Sequence, residues 1–572
     1  MFTKEPDVSK SPNVSSAPLS AVEGIKTRSR GLRGSLVESL ANPVTGAIAD
    51  DDTQLIKFHG SYQQDDRDIR EERRQQKLEP AFSFMIRTRL PGGVATPQQW
   101  LALDAITREF GNGTLKLTTR QAFQVHGVVK RNLRDTFMAM NRVAIDCIAA
   151  CGDVNRNVMA GINPTQSAVH AEIHAYARGL SEHLLPHTRA YHEIWLDGEK
   201  LVGEVGEAEP LYGATYLPRK FKAAIVLPPH NDVDIYTQDL GFIAIVENGE
   251  LVGFNLTAGG GLGATHGESA TFPRLANAIG YLPKERLNEV AAAVMTTQRD
   301  FGDRTNRKHA RLKYTIQDRG VAWFKEELFR RLGGPLAAPK PFSFTTRGDR
   351  FGWETGEDGR LHLTLRVPGG RIVDGPAAKW MAGLRAYAEL GLGELRLTPN
   401  QNLQLANIAE SEKSKVDALV AQYGLGIHEA ATPVALDAIA CVALPTCALA
   451  MAEAERYIMD FSARVDALLT NHGLDRERVS VRITGCPNGC GRPYVAEIGL
   501  VGKAPGRYNL MLGADALGTR LNTLYRENLD ETAILAALDP LIAGWAAGRR
   551  AGETFGDWTV RNGVVVPPAV EA

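Results

Sequence analysis

The sequence lacks the features that mark membrane proteins, disulfide-rich secreted proteins and nucleic-acid-binding proteins. Its most apolar stretch, residues 438–452, is too short to span a bilayer and is interrupted by Pro445. Six cysteines in 572 residues are too few for a disulfide framework. A net charge of −1 gives no reason to expect nucleic acid or an anionic membrane as a partner.

Signals for nucleotide binding and for secretion are also missing. The glycine run at 259–263 does not fit the pattern Gly-x-Gly-x-x-Gly, because Ala264 or His266 stands where the last glycine is needed. No Walker-type Gly-Lys-Ser/Thr occurs, and the first residues lack the charged-then-apolar order of a secretory signal. We therefore expect a cytoplasmic protein without a nucleotide site.

The composition that remains is that of a globular protein of about three or four domains. Hydrophobic residues make up 44% and charged residues 23% of the chain. Residues 1–50 are rich in Ser, Pro, Asn and Ala, which predicts a flexible arm. The charge-dense stretch at 63–80 predicts a solvated helix or an extended lead-in.

An internal repeat organises the rest of the sequence. Arg-Leu-Pro-Gly-Gly at 89–93 recurs as Arg-Val-Pro-Gly-Gly at 366–370, an offset of 277 residues. Leu-Thr-Thr-Arg-Gln-Ala-Phe-Gln at 117–124 recurs as Leu-Thr-Pro-Asn-Gln-Asn-Leu-Gln at 397–404, an offset of 280 residues. Two strand–turn–helix–strand units separated by a long insert predict an α+β fold with one pseudo-symmetric domain.

Four cysteines in the last third of the chain form a ligand pattern. Cys441 and Cys447 are spaced Cys-x5-Cys, and Cys486 and Cys490 are spaced Cys-x3-Cys. Soft thiolates at four converging points suit iron and sulfide, whereas a zinc ribbon normally offers two Cys-x2-Cys knuckles. The alternative is four unrelated buried cysteines. Turn-forming residues around the second pair favour ligands, because such turns leave backbone N–H groups free to point at sulfur.

Basic side chains in loop-like contexts form the third signal. Lys220 and Lys222 alternate around Phe221, which would put both ammonium groups on one side of a strand where they can address one small oxyanion. A solvated strand face is the alternative. Together with a metallocluster, these cations indicate redox chemistry on a small anion or binding of a polyanionic cofactor. The other basic residues of this set are Arg87, Arg89, Arg120, Arg156 and Arg219.

Over nearly its whole length the sequence resembles the siroheme-dependent sulfite and nitrite reductases, and within them the hemoproteins of the assimilatory, NADPH-dependent branch. The resemblance rests on specific stretches: FHGSYQQDDRDIREER, RLPGG, LTTRQAFQVHG, NRNV, SEHLLPHTRAYHEIWLDGEK, TYLPRKFK, GFNLTAGGG, TTQRDFGDRTNRK, PTCALAMAEAER and TGCPNGCGR. It implies a three-domain fold with a pseudo-two-fold repeat and the six-electron reduction of sulfite to sulfide in sulfate assimilation and cysteine biosynthesis. It also implies two cofactors, a siroheme and a [4Fe-4S] cluster.

The resemblance assigns roles residue by residue. Cys441, Cys447, Cys486 and Cys490 would ligate the cluster, and Cys490 would also give its thiolate to the siroheme iron. The catalytic cations that bind sulfite would be Arg87, Arg156, Lys220 and Lys222, with the two lysines also delivering protons. Cofactor contacts would come from Arg120, Arg219, Lys116, His126 and Asn488.

Two departures from the family pattern stand near these residues. Ala448 follows the second cysteine where the family has Pro, and Lys116 stands where an Arg is expected near the macrocycle. Neither change removes a ligand. Lys116 cannot offer a bidentate fork to a carboxylate, as Arg would. We interpret Cys147 and Cys151 as structural thiols.

An external electron donor follows from the lack of a flavin or NADPH fingerprint in this chain. The resemblance implies a flavoprotein alpha subunit that carries FAD and FMN and oxidises NADPH; a ferredoxin is the alternative donor. Assimilatory nitrite reduction is the alternative reaction, and the Arg-Lys-Phe-Lys sequence at 219–222 favours sulfite because nitrite reductases resemble Arg-Lys-x-Asn here. A non-enzymatic Fe–S electron carrier is the alternative outside catalysis.

The predicted domains follow from the repeat and the resemblance. They are an N-terminal arm at 1–80, partly flexible and able to bind the flavoprotein; a first ferredoxin-like half-repeat at 81–150; a siroheme and substrate domain at 151–345; a second half-repeat at 346–424; and a cluster-binding C-terminal domain at 425–572.

Overall fold

A computed structural model describes residues 17–161, 163, 165–187, 194–196, 199–202 and 209–568. The fold mixes helices and sheets, as predicted. The helices are α1 (Ala21–Arg28), α2 (Leu36–Ala41), α3 (Asp52–Leu55), α4 (Arg70–Gln75), α5 (Pro97–Glu109), α6 (Leu133–Arg142), α7 (Ala168–His183), α8 (Leu287–Phe301), α9 (Leu312–Arg319), α10 (Val321–Leu332), α11 (Trp380–Glu389), α12 (Lys413–Tyr423), α13 (Pro433–Asp437), α14 (Ile458–Asn471), α15 (Glu531–Gly548) and α16 (Phe555–Arg561).

The strands form five sheets within these described residues. They are β1 (Ser61–Asp65), β2 (Phe82–Arg87), β3 (Val94–Ala95), β4 (Leu115–Leu117), β5 (Phe123–Val128), β6 (Ile194–Leu196), β7 (Glu199–Val202), β8 (Ala223–Val226), β9 (Leu240–Glu247), β10 (Glu250–Ala258), β11 (Asn277–Pro283), β12 (Gly352–Thr355), β13 (Leu361–Leu365), β14 (Arg371–Ile372), β15 (Glu394–Leu397), β16 (Leu403–Ile408), β17 (Ile439–Ala440), β18 (Val481–Thr484), β19 (Ile498–Ala504), β20 (Arg507–Leu512) and β21 (Thr523–Leu529).

The two copies of the repeat form two sheets that exchange a short strand. The first sheet has the order β1-β2-β5-β4-β14 and the second the order β12-β13-β16-β15-β3. Strand β14 belongs to the second copy but pairs with β4 of the first, while β3 of the first copy pairs with β15 of the second. The predicted pseudo-two-fold repeat is therefore confirmed, and each half completes the sheet of the other.

The glycine pairs of the repeated turn make this exchange possible. Gly93 and Gly370 have φ values of 77° and 70°, which favour glycine. A Cβ at Gly93 would lie 2.6 Å from the carbonyl oxygen of Leu397, and one at Gly370 would lie 2.7 Å from that of Leu117. Only a residue without a side chain lets the two copies approach this closely.

A second level of repetition joins the insert to the C-terminal domain. Strands β8 and β9 are parallel and are followed by the antiparallel β10 and β11; β18 and β19 are likewise parallel and are followed by β20 and β21. The starts of β8 and β18, and those of β9 and β19, are both 258 residues apart. This repeat could not be predicted from the sequence, because the two segments share a strand topology but no sequence motif.

Asp234 and Arg492 stand at equivalent positions of these two sheets. Both have left-handed backbones, with φ values of 50° and 57°, and each precedes a short 3-10 helix. Asp234 Oδ2 lies 2.6 Å from Arg492 Nη1, so the two positions meet in an ion pair. The insert and the C-terminal domain are therefore joined at matching points of the repeat.

Three large hydrophobic clusters support this arrangement. One lies between the helices and sheets of the two half-repeats and includes Trp100 and Trp380; it joins both copies into one core. Trp100 is fully buried and packs edge-to-face on Phe123 at 5.6 Å. The second cluster lies in the insert and the third in the C-terminal domain.

The described part of the N-terminal arm differs from the flexible segment that we predicted. Helix α1 packs on the insert: the buried Lys26 donates to the carbonyl oxygen of Leu217 at 2.8 Å, and Arg304 pairs with Glu23 at 2.6 Å. Ile25 and Leu32 also join the hydrophobic cluster of the insert. The composition of residues 1–50 hid this docking, because these few apolar residues and buried ion pairs stand among Ser, Pro, Asn and Ala. Residues 1–16 lie outside the described part of the chain.

The apolar spacing of residues 451–472 predicts a helix that begins just beyond Cys447, but the helix begins at Ile458. The intervening segment bends back, and the backbone N–H groups of Met451 and Ala452 both donate to the carbonyl oxygen of Gly485. In the described part of the chain, every helix is too short or too polar to cross a bilayer. The domain boundaries given above stay a prediction.

Candidate active site

The four predicted cluster cysteines follow two neighbouring parallel strands. Cys441 comes directly after β17, and Cys486 and Cys490 follow β18, which pairs with β17 in parallel. Parallel strands bring their carboxyl ends to the same edge of a sheet, so residues 45 positions or more apart meet there. Cys447 reaches the same edge on the loop between them.

Burial and neighbouring cysteines raise the pKa values of three of the four thiols. Burial raises the pKa of Cys441 to about 12 and those of Cys447 and Cys486 to about 11, and nearby Cys490 adds to each rise. Thiols with such pKa values stay protonated at neutral pH unless a metal ionises them. The site is therefore suited to a bound cationic group.

The donor set fits an iron–sulfur cluster better than a single ion. Backbone N–H of Gly485 donates to Cys441 Sγ at 3.2 Å, and the Asn488 amide donates to Cys486 Sγ at 3.5 Å, the polar contacts that stabilise cluster sulfur. Among the described residues, no group of His, Cys, Asp or Glu is arranged to hold one metal ion.

A cationic cleft opens beside Cys490, which is the exposed cysteine of the four. It brings together five of the predicted site residues from three separate segments of the chain. We call it the cationic cleft; its charged and polar lining comprises Thr119, Arg120, Lys220, Lys222, Thr237, Gln238, Arg311, Asn488, Cys490 and Arg492.

The environment of this cleft lowers the pKa values of both its lysines. Burial, with Arg219 and Arg311 nearby, lowers the pKa of Lys220 to about 7. Burial and then Lys220 itself hold the pKa of Lys222 well below its usual value. An ammonium group with a pKa near the working pH is a good general acid, and a bound anion would favour its charged form. Both lysines lie just before β8 and face the same cleft, as the alternation predicted.

Arg120 is fixed by the insert. Its guanidinium donates to Gln238 Oε1 at 2.8 Å and to the carbonyl oxygens of Ala223, at 3.1 Å, and Asn157. Burial, then Arg156, lowers its pKa to about 9. Its buried Nε has no protein partner among the described residues, so one donor remains for a ligand.

Arg87 and Arg156 lie behind the cationic cleft. Arg156 is buried and donates twice to the carbonyl oxygen of Gly152, at 2.9 and 2.7 Å. Arg87 donates to Cys151 Sγ at 3.1 Å and lies over the Tyr62 ring at 5.8 Å. Burial opposes its charge, but Cys151 and Tyr62 raise its pKa overall. Cys151, expected to be only structural, thus contacts a predicted catalytic arginine.

Arg219 belongs to an ion network that the sequence did not reveal. Its Nη1 lies 3.9 Å from Asp153 Oδ1. Arg307 donates to the same carboxylate through Nη1 at 2.6 Å and through Nη2 at 2.9 Å. Burial alone would raise the pKa of Asp153, but Arg307 and then Lys26 lower it. Burial, with Arg307 nearby, lowers the pKa of Arg219 to about 10.

Lys116 and His126 do not line the cationic cleft. Lys116 is buried and donates to Glu455 Oε2 at 2.7 Å and to the carbonyl oxygen of Gly369, and burial lowers its pKa. His126 is neutral because burial holds its pKa well below the usual value. It contacts the side-chain amide of Gln124. When this amide is oriented to satisfy its neighbours, the Gln124 side-chain oxygen accepts from Nη2 and Nε of Arg87 at 2.5 and 3.0 Å. Their roles as cofactor contacts stay predictions.

Sequence reasoning missed Arg311, Tyr62 and Asp153 as parts of this site. Arg311 enters the cleft from the start of α9 and is held by Asp239 at 2.6 Å. No local motif marks these residues, because their partners lie far away in sequence. For Arg311 and Asp153, the one available signal in the sequence was a charged residue within an otherwise apolar segment.

Comparisons with known proteins agree with this geometry. The family model of the nitrite/sulfite reductase ferredoxin-like half domain matches residues 76–143 and 354–423, and that of the nitrite and sulphite reductase 4Fe-4S domain matches residues 177–336. The latter range contains no cysteine. It overlaps the insert, whose β8–β11 sheet has the same topology as the cysteine-bearing sheet.

Relatives match the chain nearly from end to end. A protein of Myxococcus xanthus named sulfite reductase [NADPH] hemoprotein beta-component is 60% identical over 97% of this chain and 98% of its own. One of the same name from Xanthomonas euvesicatoria is 59% identical over 96% of this chain and 97% of its own. The solved structure of Mycobacterium tuberculosis NirA protein has a TM-score of 0.76 at 25% identity, covering 95% of this chain and 96% of that one.

Proposed function

The chain belongs to the nitrite and sulfite reductase family, and from this premise we propose that it is the sulfite-reducing hemoprotein of an NADPH-dependent enzyme. One observation carries the proposal. The exposed Cys490 of a four-cysteine group lies on the rim of the same cleft as Lys220, Lys222 and Arg120. A site for electron delivery therefore adjoins a site for a small anion.

The cofactors of this family are siroheme and a [4Fe-4S] cluster, and the residues present fit both. The four cysteines would hold the cluster, and Cys490 would also reach the siroheme iron. Arg120, with its unpartnered Nε, and Arg219 would hold acidic groups of the macrocycle, and Asn488 would lie at its edge. When bound, these groups would pass on the six electrons that the external donor supplies, and would offer an iron that polarises the substrate.

The chain's own residues bind the dianion and deliver protons. Reduction of sulfite to HS⁻ consumes six electrons and seven protons and releases three waters. Arg87 and Arg156 stay charged throughout and therefore serve mainly in binding. Lys220, with a pKa of about 7, can release a proton as an S–O bond breaks and take up another from solvent. Lys222, which lies beside it in the same cleft, acts in the same way.

The electron donor that we propose is a flavoprotein partner that oxidises NADPH. The name beta-component of the relatives implies a second component, and the chain itself lacks a nucleotide motif. A ferredoxin is the alternative donor. The cytoplasmic location stays a prediction, as does the part of residues 1–80 in binding the partner.

The test is a comparison of two substrates in the purified holoprotein, with reduced methyl viologen as donor. Lys222→Asn gives the segment the Arg-Lys-x-Asn sequence typical of nitrite reductases. We expect kcat/KM for sulfite to fall at least tenfold, about 1.4 kcal/mol, and that for nitrite to fall less, because nitrite carries one charge instead of two. Equal losses would contradict a role of Lys222 in choosing sulfite.

The donor is tested separately. NADPH plus the flavoprotein should replace methyl viologen in the wild-type assay. Sulfide formation with viologen but not with the flavoprotein would reject the proposed partner and leave the reaction itself intact. Absence of siroheme-type absorption from the purified protein would reject the enzyme and favour an Fe–S electron carrier.

A further inference from the structure

A second cleft, separate from the cationic cleft, opens where the second half-repeat meets the C-terminal domain. It encloses about 590 Å³, a size suited to a small metabolite. Its walls come from 345–349, Asn400, 436–439, 476–482, Glu497, 516–517 and 545–554. We call it the arginine cleft, since six arginines line it: Arg347, Arg476, Arg478, Arg482, Arg549 and Arg550.

Two buried guanidinium groups in the arginine cleft have donors without acceptors. The side chains of Arg347 and Arg482 are each 4% exposed. Arg347 donates through Nε to Asp234 at 2.6 Å, yet its Nη1 and Nη2 have no partner among the described residues. Arg482 donates through Nη1 to Asp234 at 2.7 Å, and its Nε has no partner. Buried donors without acceptors are unfavourable and point to a bound group.

Charge is also unbalanced at the inner end of this cleft. The carboxylate of Asp234 is shared by three buried arginines, namely Arg347, Arg482 and Arg492, so two positive charges exceed it. Burial, then Arg347, lowers the pKa of Arg482 to about 9. Asp349, which also lines the cleft, directs its carboxylate to Thr398, Asn400 and Asn402, from which it accepts, and burial raises its pKa.

Two other arginines of the lining are paired within it. Arg478 pairs with Asp437 and Arg549 with Glu477, each at 2.6 Å. Glu497 accepts from Ser480 and from the backbone of Gly556, and burial raises its pKa to about 6. Arg476 and Arg550 also line the cleft but are exposed, so the buried guanidinium groups of the lining with unpartnered donors are those of Arg347 and Arg482.

The position of the arginine cleft follows from the repeat. The 280-residue offset of the half-repeats relates Arg120 to Asn400, and the 258-residue offset of the sheets relates Lys220 to Arg478 and Lys222 to Ser480. All three counterparts line the arginine cleft. It is thus the image of the cationic cleft in the other half of the molecule, without a cysteine among its lining residues.

We propose that the arginine cleft binds an oxyanion group, a phosphate or carboxylate of a small metabolite, with Arg347 as its anchor. The Nη1 and Nη2 groups of Arg347 form a fork that suits two oxygens of one anion, and Arg482 Nε supplies a third donor. This inference does not depend on the proposed sulfite reduction.

The test is calorimetric titration of the holoprotein with inorganic phosphate and, separately, with citrate. Lys222→Met is introduced as a background so that anion binding at the cationic cleft is weakened. Saturable binding of either probe is expected, and the probe that binds more tightly identifies the group. No saturable binding of either would overturn the proposal, because water would then be the partner of the free donors.

Arg347→Lys locates the site. Lysine can keep the ion pair with Asp234 but lacks the fork, so we expect binding at least tenfold weaker. Arg478→Met, which removes a paired arginine from the same cleft, is the matched control and should bind as the parent does. If Arg347→Lys does not fold, Ala551→Glu adds a negative charge at the exposed rim and should weaken binding in a folded protein. Unchanged affinity in the folded variant would overturn the proposal.

Discussion

Replacing Lys220 by Arg separates binding of the anion from delivery of a proton. Arginine keeps a positive charge in the cationic cleft but cannot be deprotonated, whereas Lys220 has a pKa of about 7. A lysine that acts as an acid must be protonated in the free enzyme. With this pKa, its protonated fraction falls from about 0.9 at pH 6 to about 0.1 at pH 8, roughly tenfold.

The assay is kcat/KM for sulfite from pH 6 to pH 9, which reports groups of the free enzyme and of free sulfite. Sulfite titrates in this range too, but equally for both proteins. The ratio of wild type to Lys220→Arg therefore isolates the lysine and should fall by about tenfold between pH 6 and pH 8. Sulfite KM should change little, because the charge remains. A ratio that does not vary with pH would refute proton delivery by Lys220.

Three further changes test other parts of the site. Cys486→Ser replaces a soft ligand by a hard one, so iron and acid-labile sulfide contents should fall; unchanged contents would contradict the cluster assignment. Glu455→Gln leaves Lys116 and Arg371 buried without their carboxylate, and thermal or denaturant unfolding should show a loss of about 3–5 kcal/mol; a loss below about 1 would mean that water replaces the carboxylate. Cys151→Ala removes the acceptor of Arg87, worth about 0.5–1.5 kcal/mol, so sulfite KM should rise about two- to tenfold with kcat nearly constant. A lower kcat at unchanged KM would show instead that Cys151 does not position Arg87 for binding.

The sequence was sufficient for those parts of the site that are coded locally. The four cysteines and Lys220 and Lys222 each stand in a short motif whose spacing limits the chemistry. The half-repeat was visible for the same reason, since its turn needs glycine at Gly93 and Gly370.

The remainder depends on contacts between distant segments. Arg311 is oriented by Asp239, and Arg219 and Arg307 share Asp153; none of these pairs is local. The docked α1 helix was predicted to be flexible from the Ser, Pro, Asn and Ala content of residues 1–50, and its partner Arg304 lies far away in sequence. The arginine cleft was invisible for a similar reason, since its charge excess arises only when segments from three parts of the chain share one carboxylate.

The exchanged strands have a consequence for synthesis on the ribosome. Strand β4 ends at Leu117, but the strand that covers its outer edge, β14, begins only at Arg371. At 5–20 residues per second, the edge of β4 stays unpaired for roughly 13–50 s after it emerges. An unpaired strand edge can pair with other chains. During this interval the nascent protein therefore most needs a chaperone or a low concentration of neighbouring nascent chains. The strand exchange that joins the two half-repeats in the folded protein therefore leaves the sheet of the first half-repeat incomplete until β14 has been translated.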